Sequence, residues 1–287
     1  MPAVDDTLAT SGVQTTSLDA RPAWPAGEVL RDIARGGIAG IIVGLLVAGL
    51  GGRVVMRLAT ILHEDTVGLT TENGAVIGDI TLNGTLALMT FGGLGMGLVA
   101  GTIWVIVNPW MPGRGLARAL LTSFAAIALG IPGLVERTNP DFLLLGYDPT
   151  VLALLIILVG LVGFFMAITD SALDARLPRA LRAVRTSTLV YVAVTLAGLV
   201  LILPLVVDIL LRQNDYLAPV RAGWALAVMG ACTLIWGALR VRGRSTPPQV
   251  LRRAGRASLF VAVVLGFVTS LPHILGALGM PIWKMPW

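Results

Sequence analysis

The sequence predicts an all-α integral membrane protein: a bundle of seven transmembrane helices with a cytoplasmic amino terminus, a carboxyl terminus outside, and a small outer β-hairpin between the first two helices. Three observations carry this expectation. The mean hydropathy is +0.85, with 56% hydrophobic and only 13% charged residues, which is too apolar for a soluble domain of 287 residues. Seven apolar stretches, about 36–61, 85–107, 116–135, 150–170, 187–211, 221–240 and 257–280, approach or exceed the roughly 20 residues a helix needs to cross a hydrocarbon core. Basic residues also alternate from one set of loops to the other, fifteen against four, and the arginine-rich side reads as cytoplasmic. The alternating ten-residue pattern of a membrane β-barrel is absent from the sequence.

Residues 1–35 read as a disordered cytoplasmic tail, rich in Thr, Ser, Ala, Asp and Pro at its start. Asp5, Asp6 and Asp19 make it acidic and no short apolar run with a cleavage site precedes Gly36, so the first span reads as a retained anchor. In that span Gly36, Gly40 and Gly44 recur every four residues, and in the second Gly93, Gly97 and Gly101 do the same. Small residues at this spacing let two helix backbones approach closely, which predicts that the first two helices pack face to face. Between them, residues 63–84 contain four acids and no Arg or Lys, with Asn73-Gly74 placed between TVGLTTE and AVIGDITL, the pattern of a hairpin with a type I′ turn.

The second loop carries Arg114 and Arg118; the third, residues 136–150, holds Glu136, Pro140 and Pro149 and is outer. The fourth spaces Arg176, Arg179, Arg182 and Arg185 three apart with Leu177, Leu181 and Val184 between them, which predicts a short interfacial helix on anionic lipid. The sixth loop, RVRGRSTPPQVLRRAGR, reads the same way, with Pro247-Pro248 forbidding a continuous helix. Pro132, Pro204 and Pro272 fall at similar depth in the third, fifth and seventh spans, and kinks at one level would open an outward-facing vestibule. Residues 281–287 form an outer tail.

Two arginines sit in the outer part of the first span, Arg53 and Arg57. At a spacing of four they share a helix face, and a guanidinium at that depth needs water, headgroups or a carboxylate. Carboxylates at the same level are Glu136 after the third span and Asp208 near the end of the fifth, with Glu64 and Asp65 in the following loop; His273 follows Pro272 in the last span. Arg53, Arg57, Glu136, Asp208 and His273 are the candidate solute-binding residues, because guanidinium forks match carboxylate and phosphate geometry.

Other chemistry finds little support. Cys232 is the single cysteine and the histidines are two, His63 and His273, so neither a disulfide framework nor a metal or haem cofactor is expected. Asp170 and Asp174 are four apart at the end of the fourth span and read as solvated residues. Ser171 and Ser258 have no histidine on their side of the membrane, and no phosphate loop with a lysine occurs. Nucleic acid is not an expected partner despite a pI near 10.3, since the arginines flank apolar spans. Twenty Arg against one Lys point to a GC-rich bacterial genome and a bacterial inner membrane. The expected function is binding or conduction of a small anionic solute, without catalysis; the alternative is an accessory or assembly subunit that docks to a membrane partner or to itself.

Overall fold

The computed structural model describes residues 25–62, 68, 81–134, 149–178, 185–211 and 220–277. The described residues form seven helical rods: α1 (Pro25–Leu62), α2 (Leu82–Val107), α3 (Gly115–Leu134), α4 (Pro149–Arg176), α5 (Arg185–Leu211), α6 (Val220–Val241) and α7 (Gln249–Ala277). No strand occurs among them. α1, α2, α4, α6 and α7 contain stretches long and apolar enough to cross a membrane. The apolar stretches of α3 and α5 are shorter, Gly115–Ile131 and Thr188–Val200.

The helix ends follow local chemistry. α1 begins at Pro25, well before the expected start at Gly36, so residues 25–35 are helical rather than part of a tail. Proline suits the first helical position because its missing N–H is not needed there, and Glu28 lies in the positively polarised first turn. Thr81 caps α2: its hydroxyl accepts a hydrogen bond from the Gly84 N–H at 3.1 Å. The expected hairpin falls on residues 66–82; apart from Gly68, Thr81 and Leu82 these lie outside the described residues, and Leu82 is already helical. α2 stops at Val107 because Pro109 and Pro112 follow. α6 closes with Gly243 at φ +89°, whose N–H bonds Arg240 O while the Arg244 N–H reaches Leu239 O, a Schellman end that only glycine adopts cheaply.

α1 and α2 are the closest pair. A Cβ on Gly40 would collide with the carbonyl of Gly97 and lie 2.8 Å from Gly101 Cα; one on Gly44 would collide with the Gly93 carbonyl, and one on Gly101 would come within 2.6 Å of Gly36 O. The two glycine ladders therefore interlock in antiparallel order, as their spacing predicts. Both rods change to a π-type turn where the ladders end, over Gly44–Gly49 in α1 and Leu88–Gly95 in α2. α3 lies against α4 in the same manner, with Gly163 pressed on the Thr122 carbonyl and Ala126. α1 also touches α4, α5 and α6; α7 touches α3 and α6; and α5 rests at the edge on α1 and α2.

Among the described side chains the apolar core draws on every rod except α5: Ala39 and Val43, Trp104 and Val107, Ala119 and Ala125, Met166 and Ala167, Met229 and Cys232, and Leu259. The short connector after α2 joins it through Trp110, which is fully buried, and Met111. Past Gly49 burial in α1 thins to Val55, Ala59 and Thr60, while Leu50, Val54, Ile61 and Leu62 are exposed, as expected of side chains that face lipid.

Substituting Gly40→Leu should separate α1 from α2, because the blocking atoms are backbone; overpacking of this kind costs about 1–3 kcal/mol or more. Gly52→Ala, whose added methyl meets only Leu88 Cδ2 at 3.8 Å, should be nearly neutral. Thermal unfolding of the two purified variants checks the contrast, and equal midpoints would contradict the interlocked packing.

Candidate functional site

The densest polar chemistry among the described residues lies at the arginine-rich end of the bundle, where α1, α3, α5 and α7 begin and α2, α4 and α6 end. Arg31 and Arg35 are one turn apart on α1 and face Asp170 and Asp174, one turn apart on α4. Arg35 Nε donates to Asp170 Oδ1 at 2.8 Å and its Nη1 to Asp174 Oδ1. Arg31 Nη1 donates to the same Asp174 oxygen at 3.0 Å, while its Nη2 reaches the main-chain oxygens of Asp174 at 2.7 Å and Leu177 at 3.1 Å. Arg31 thus satisfies carbonyls that the end of α4 leaves unpaired and opposes that helix's negative pole.

Three further helices join. Asp32 of α1 accepts from Arg240 Nη1 of α6 at 2.5 Å and lies 3.5 Å from Arg35 Nη1. Asn108, at the end of α2, donates from Nδ2 to Asp170 Oδ2 at 3.5 Å, the longest link, and accepts from Arg118 Nη2 of α3 at both its side-chain and main-chain oxygens. The Arg118 guanidinium also stands 5.4 Å from the ring centre of Trp104, within cation–π range. Four guanidinium groups, on Arg31, Arg35, Arg118 and Arg240, meet three carboxylates, on Asp32, Asp170 and Asp174, which leaves one positive charge in excess within the cluster.

Beside the charges lies a plug. The connector turns sharply after Val107, with Trp110 N–H and Met111 N–H both bonding Val107 O, and this drives Trp110 inward. Its ring packs on Gly255 of α7, where a Cβ would overlap it, and its Nε1 donates to Thr233 Oγ1 of α6 at 2.8 Å. The Thr233 hydroxyl in turn donates toward Ile106 O at 2.8 Å. The indole therefore ties α2, α6 and α7 together and fills the space between them.

Asp170 is 3% exposed, which corrects the expectation that it sits in solvent; Asp174, with a side chain 55% exposed, is at the rim but still paired. Arg31 and Arg35, expected only to orient a tail, are buried as well. The sequence carried a signal for this cluster: two charges at i, i+4 in α1 matched by opposite charges at i, i+4 in α4. Trp110 had a weaker one, a tryptophan enclosed by Pro109 and Pro112 in a short loop.

Of the candidates read from the sequence, Arg53 and Arg57 lie one turn apart in the C-terminal part of α1. Arg53 is half-buried: its guanidinium occupies the space beside Gly84 at the start of α2, and its Nε is buried without a hydrogen-bond partner. Arg57 is exposed. Asp208 falls in α5 and His273 in α7; Glu136 lies outside the described residues. Among the described residues no group of three His, Cys, Asp or Glu could hold a metal. Comparison of the chain with protein-family models, curated proteins and solved structures gives no match.

Removing one partner of the buried pair should be costly, because it strands a charge: Asp170→Leu is expected to lower stability by roughly 3–5 kcal/mol. Arg35→Met combined with Asp170→Leu should recover most of that loss, since an apolar pair of similar volume replaces the ions. A double-mutant cycle on thermal unfolding measures the coupling, and additive losses would show that the pair is not the linking interaction.

Proposed function

We propose that this protein is a non-catalytic, seven-span protein of a bacterial plasma membrane that binds or conducts a small anionic solute and is held shut at its cytoplasmic end. The observation that carries the reading is the buried Asp170–Arg35 pair with the Trp110 plug beside it. Ionisable groups within membrane helices are expensive, so their retention favours a role in passage or switching. The excess positive charge in the cluster favours an anion over a cation. In this reading the solute enters from the outer side past Arg53 and Arg57, with Glu136, Asp208 and His273 near its path and the proline-bearing helices around an outer vestibule. The fifteen-to-four distribution of basic residues supports an amino terminus in the cytoplasm and a carboxyl terminus outside. Arg176, Arg179, Arg182 and Arg185 rest on anionic lipid at the inner surface.

A second reading, an accessory or assembly subunit, is favoured by α5. Leu189, Val190, Leu196, Leu199, Val200 and Leu203 are all exposed on this edge helix, a face that suits another membrane helix as well as lipid.

Reporter fusions at the two ends test the topology: one ahead of Met1 should be cytoplasmic and one after Trp287 exterior, and both on one side would remove the seven-span reading. Efflux of chloride, phosphate and small carboxylates from proteoliposomes tests the activity. Asp170→Asn, which removes the charge but keeps the shape, should raise efflux about tenfold if it weakens the closed state by about 1.4 kcal/mol, and Arg53→Gln should lower it. If neither wild type nor Asp170→Asn moves or binds any anion, and a second chain co-purifies in fixed ratio, the subunit reading replaces this one.

A further inference from the structure

The connector between α6 and α7 carries a charge that the cluster does not use. From Tyr216 to Trp287 the sequence contains no acidic residue, yet it holds Arg240, Arg242, Arg244, Arg252, Arg253 and Arg256 within seventeen residues. Arg240 is neutralised by Asp32 across the bundle. Among the described residues the other five are exposed and make no ion pair or side-chain hydrogen bond. They stand on a firm base, because the Gly243 turn is closed by two main-chain hydrogen bonds and Gly255 is clamped against the Trp110 ring.

Apolar residues continue the same face. Gly255, Leu259 and Ala262 turn inward. On the other side of α7, Arg253, Arg256, Phe260, Val264, Val268 and Leu271 follow at spacings of three and four, which places them in one line. All are exposed, Phe260 at 70%, and Val250, at 81%, stands beside the arginines. From Phe260 to Leu271 a helix rises about 16 Å, close to half of a hydrocarbon core of about 30 Å. The line therefore runs from a phosphate-binding level down through the depth of a single leaflet.

We infer that this face of α7 is a docking site for one anionic phospholipid, its phosphate held by Arg252, Arg253 and Arg256 and its acyl chains lying along Phe260, Val264 and Val268. Guanidinium groups pair with phosphate oxygens in forked geometry, and the apolar line supplies what a free anion does not need. The site is separate from the buried cluster, and it does not depend on what the protein conducts.

Native mass spectrometry of the detergent-purified full chain tests it with three probes: phosphatidylglycerol, phosphatidylcholine of the same acyl chains, and inorganic phosphate. Phosphatidylglycerol should be retained at about tenfold lower concentration than phosphatidylcholine. Arg252→Gln/Arg253→Gln/Arg256→Gln should remove one retained phosphatidylglycerol, whereas Arg114→Gln, at an exposed arginine of the α2–α3 connector, should keep it. Phe260→Ser should weaken phosphatidylglycerol without changing the charge. Should the triple variant fail to fold, raising the salt concentration on wild type must erode the preference instead. Equal retention of the two lipids, an unchanged triple variant, loss in Arg114→Gln, or displacement of the lipid by inorganic phosphate at similar concentration would each overturn the assignment.

Discussion

The ion pair between Arg35 and Asp170 is the constraint on which the arginine-rich half of the bundle rests. Burying two full charges costs several kcal/mol per ion, and the attraction offsets this only when the remaining donors and acceptors are also satisfied. Here the second oxygen of Asp170 receives Asn108, and the second arm of Arg35 is shared between Asp174 and Asp32. Satisfying the pair thus requires the end of α2 to sit where Asn108 can reach, and α6 to sit where Arg240 can neutralise Asp32. Arg118 then comes in from α3 to hold Asn108. Five of the seven rods are positioned by the demands of one buried carboxylate and its partner.

Close packing of α1 on α2 makes that geometry attainable. Where no Cβ intervenes the two backbones meet, and the rods act as one slab that presents Arg31 and Arg35 to α4 on one side and carries α5 on the other. Tyr191 secures α5 to the end of α4, its hydroxyl donating to Pro178 O at 2.9 Å. Beyond the glycine ladders both rods pass through π-type turns, and the C-terminal part of α1 has few buried residues. Among the described residues the two ends therefore differ: one is fastened by charge and by Trp110, while the other holds apolar contacts such as Ile131 with Leu152 and Val159.

That asymmetry gives the functional reading its form. A charged lock is specific and can be released by a single change in charge or partner, whereas apolar contacts in lipid have little preference for one arrangement over another. The lipid face proposed on α7 lies directly behind the plug, since Gly255, against which Trp110 packs, is flanked by the arginines that would hold the headgroup. The proposed headgroup site and the Trp110 packing thus meet at one short stretch of helix.

Much of the architecture was legible in the chain itself. Hydropathy and length mark the apolar helices, and the glycine spacings of Gly36–Gly40–Gly44 and Gly93–Gly97–Gly101 identify which two meet and through which faces, because these are properties of single helices and of backbone access. Helix starts at Pro25 and Thr81 also follow from local rules, although hydropathy alone placed the first span too late: charged residues such as Arg31 and Arg35 lower a hydropathy average without breaking a helix. What the tertiary structure decided is the meaning of the charges. Asp170 at the end of an apolar helix reads as solvated because, within its own segment, nothing pairs with it; its partner lies 135 residues away, and only the folding of α1 against α4 brings that partner within 2.8 Å. Trp110 reads as a loop residue until α6 and α7 supply Thr233 and Gly255. Periodicity is local and survives in sequence, whereas the burial of a charge or an indole depends on which distant surfaces close over it.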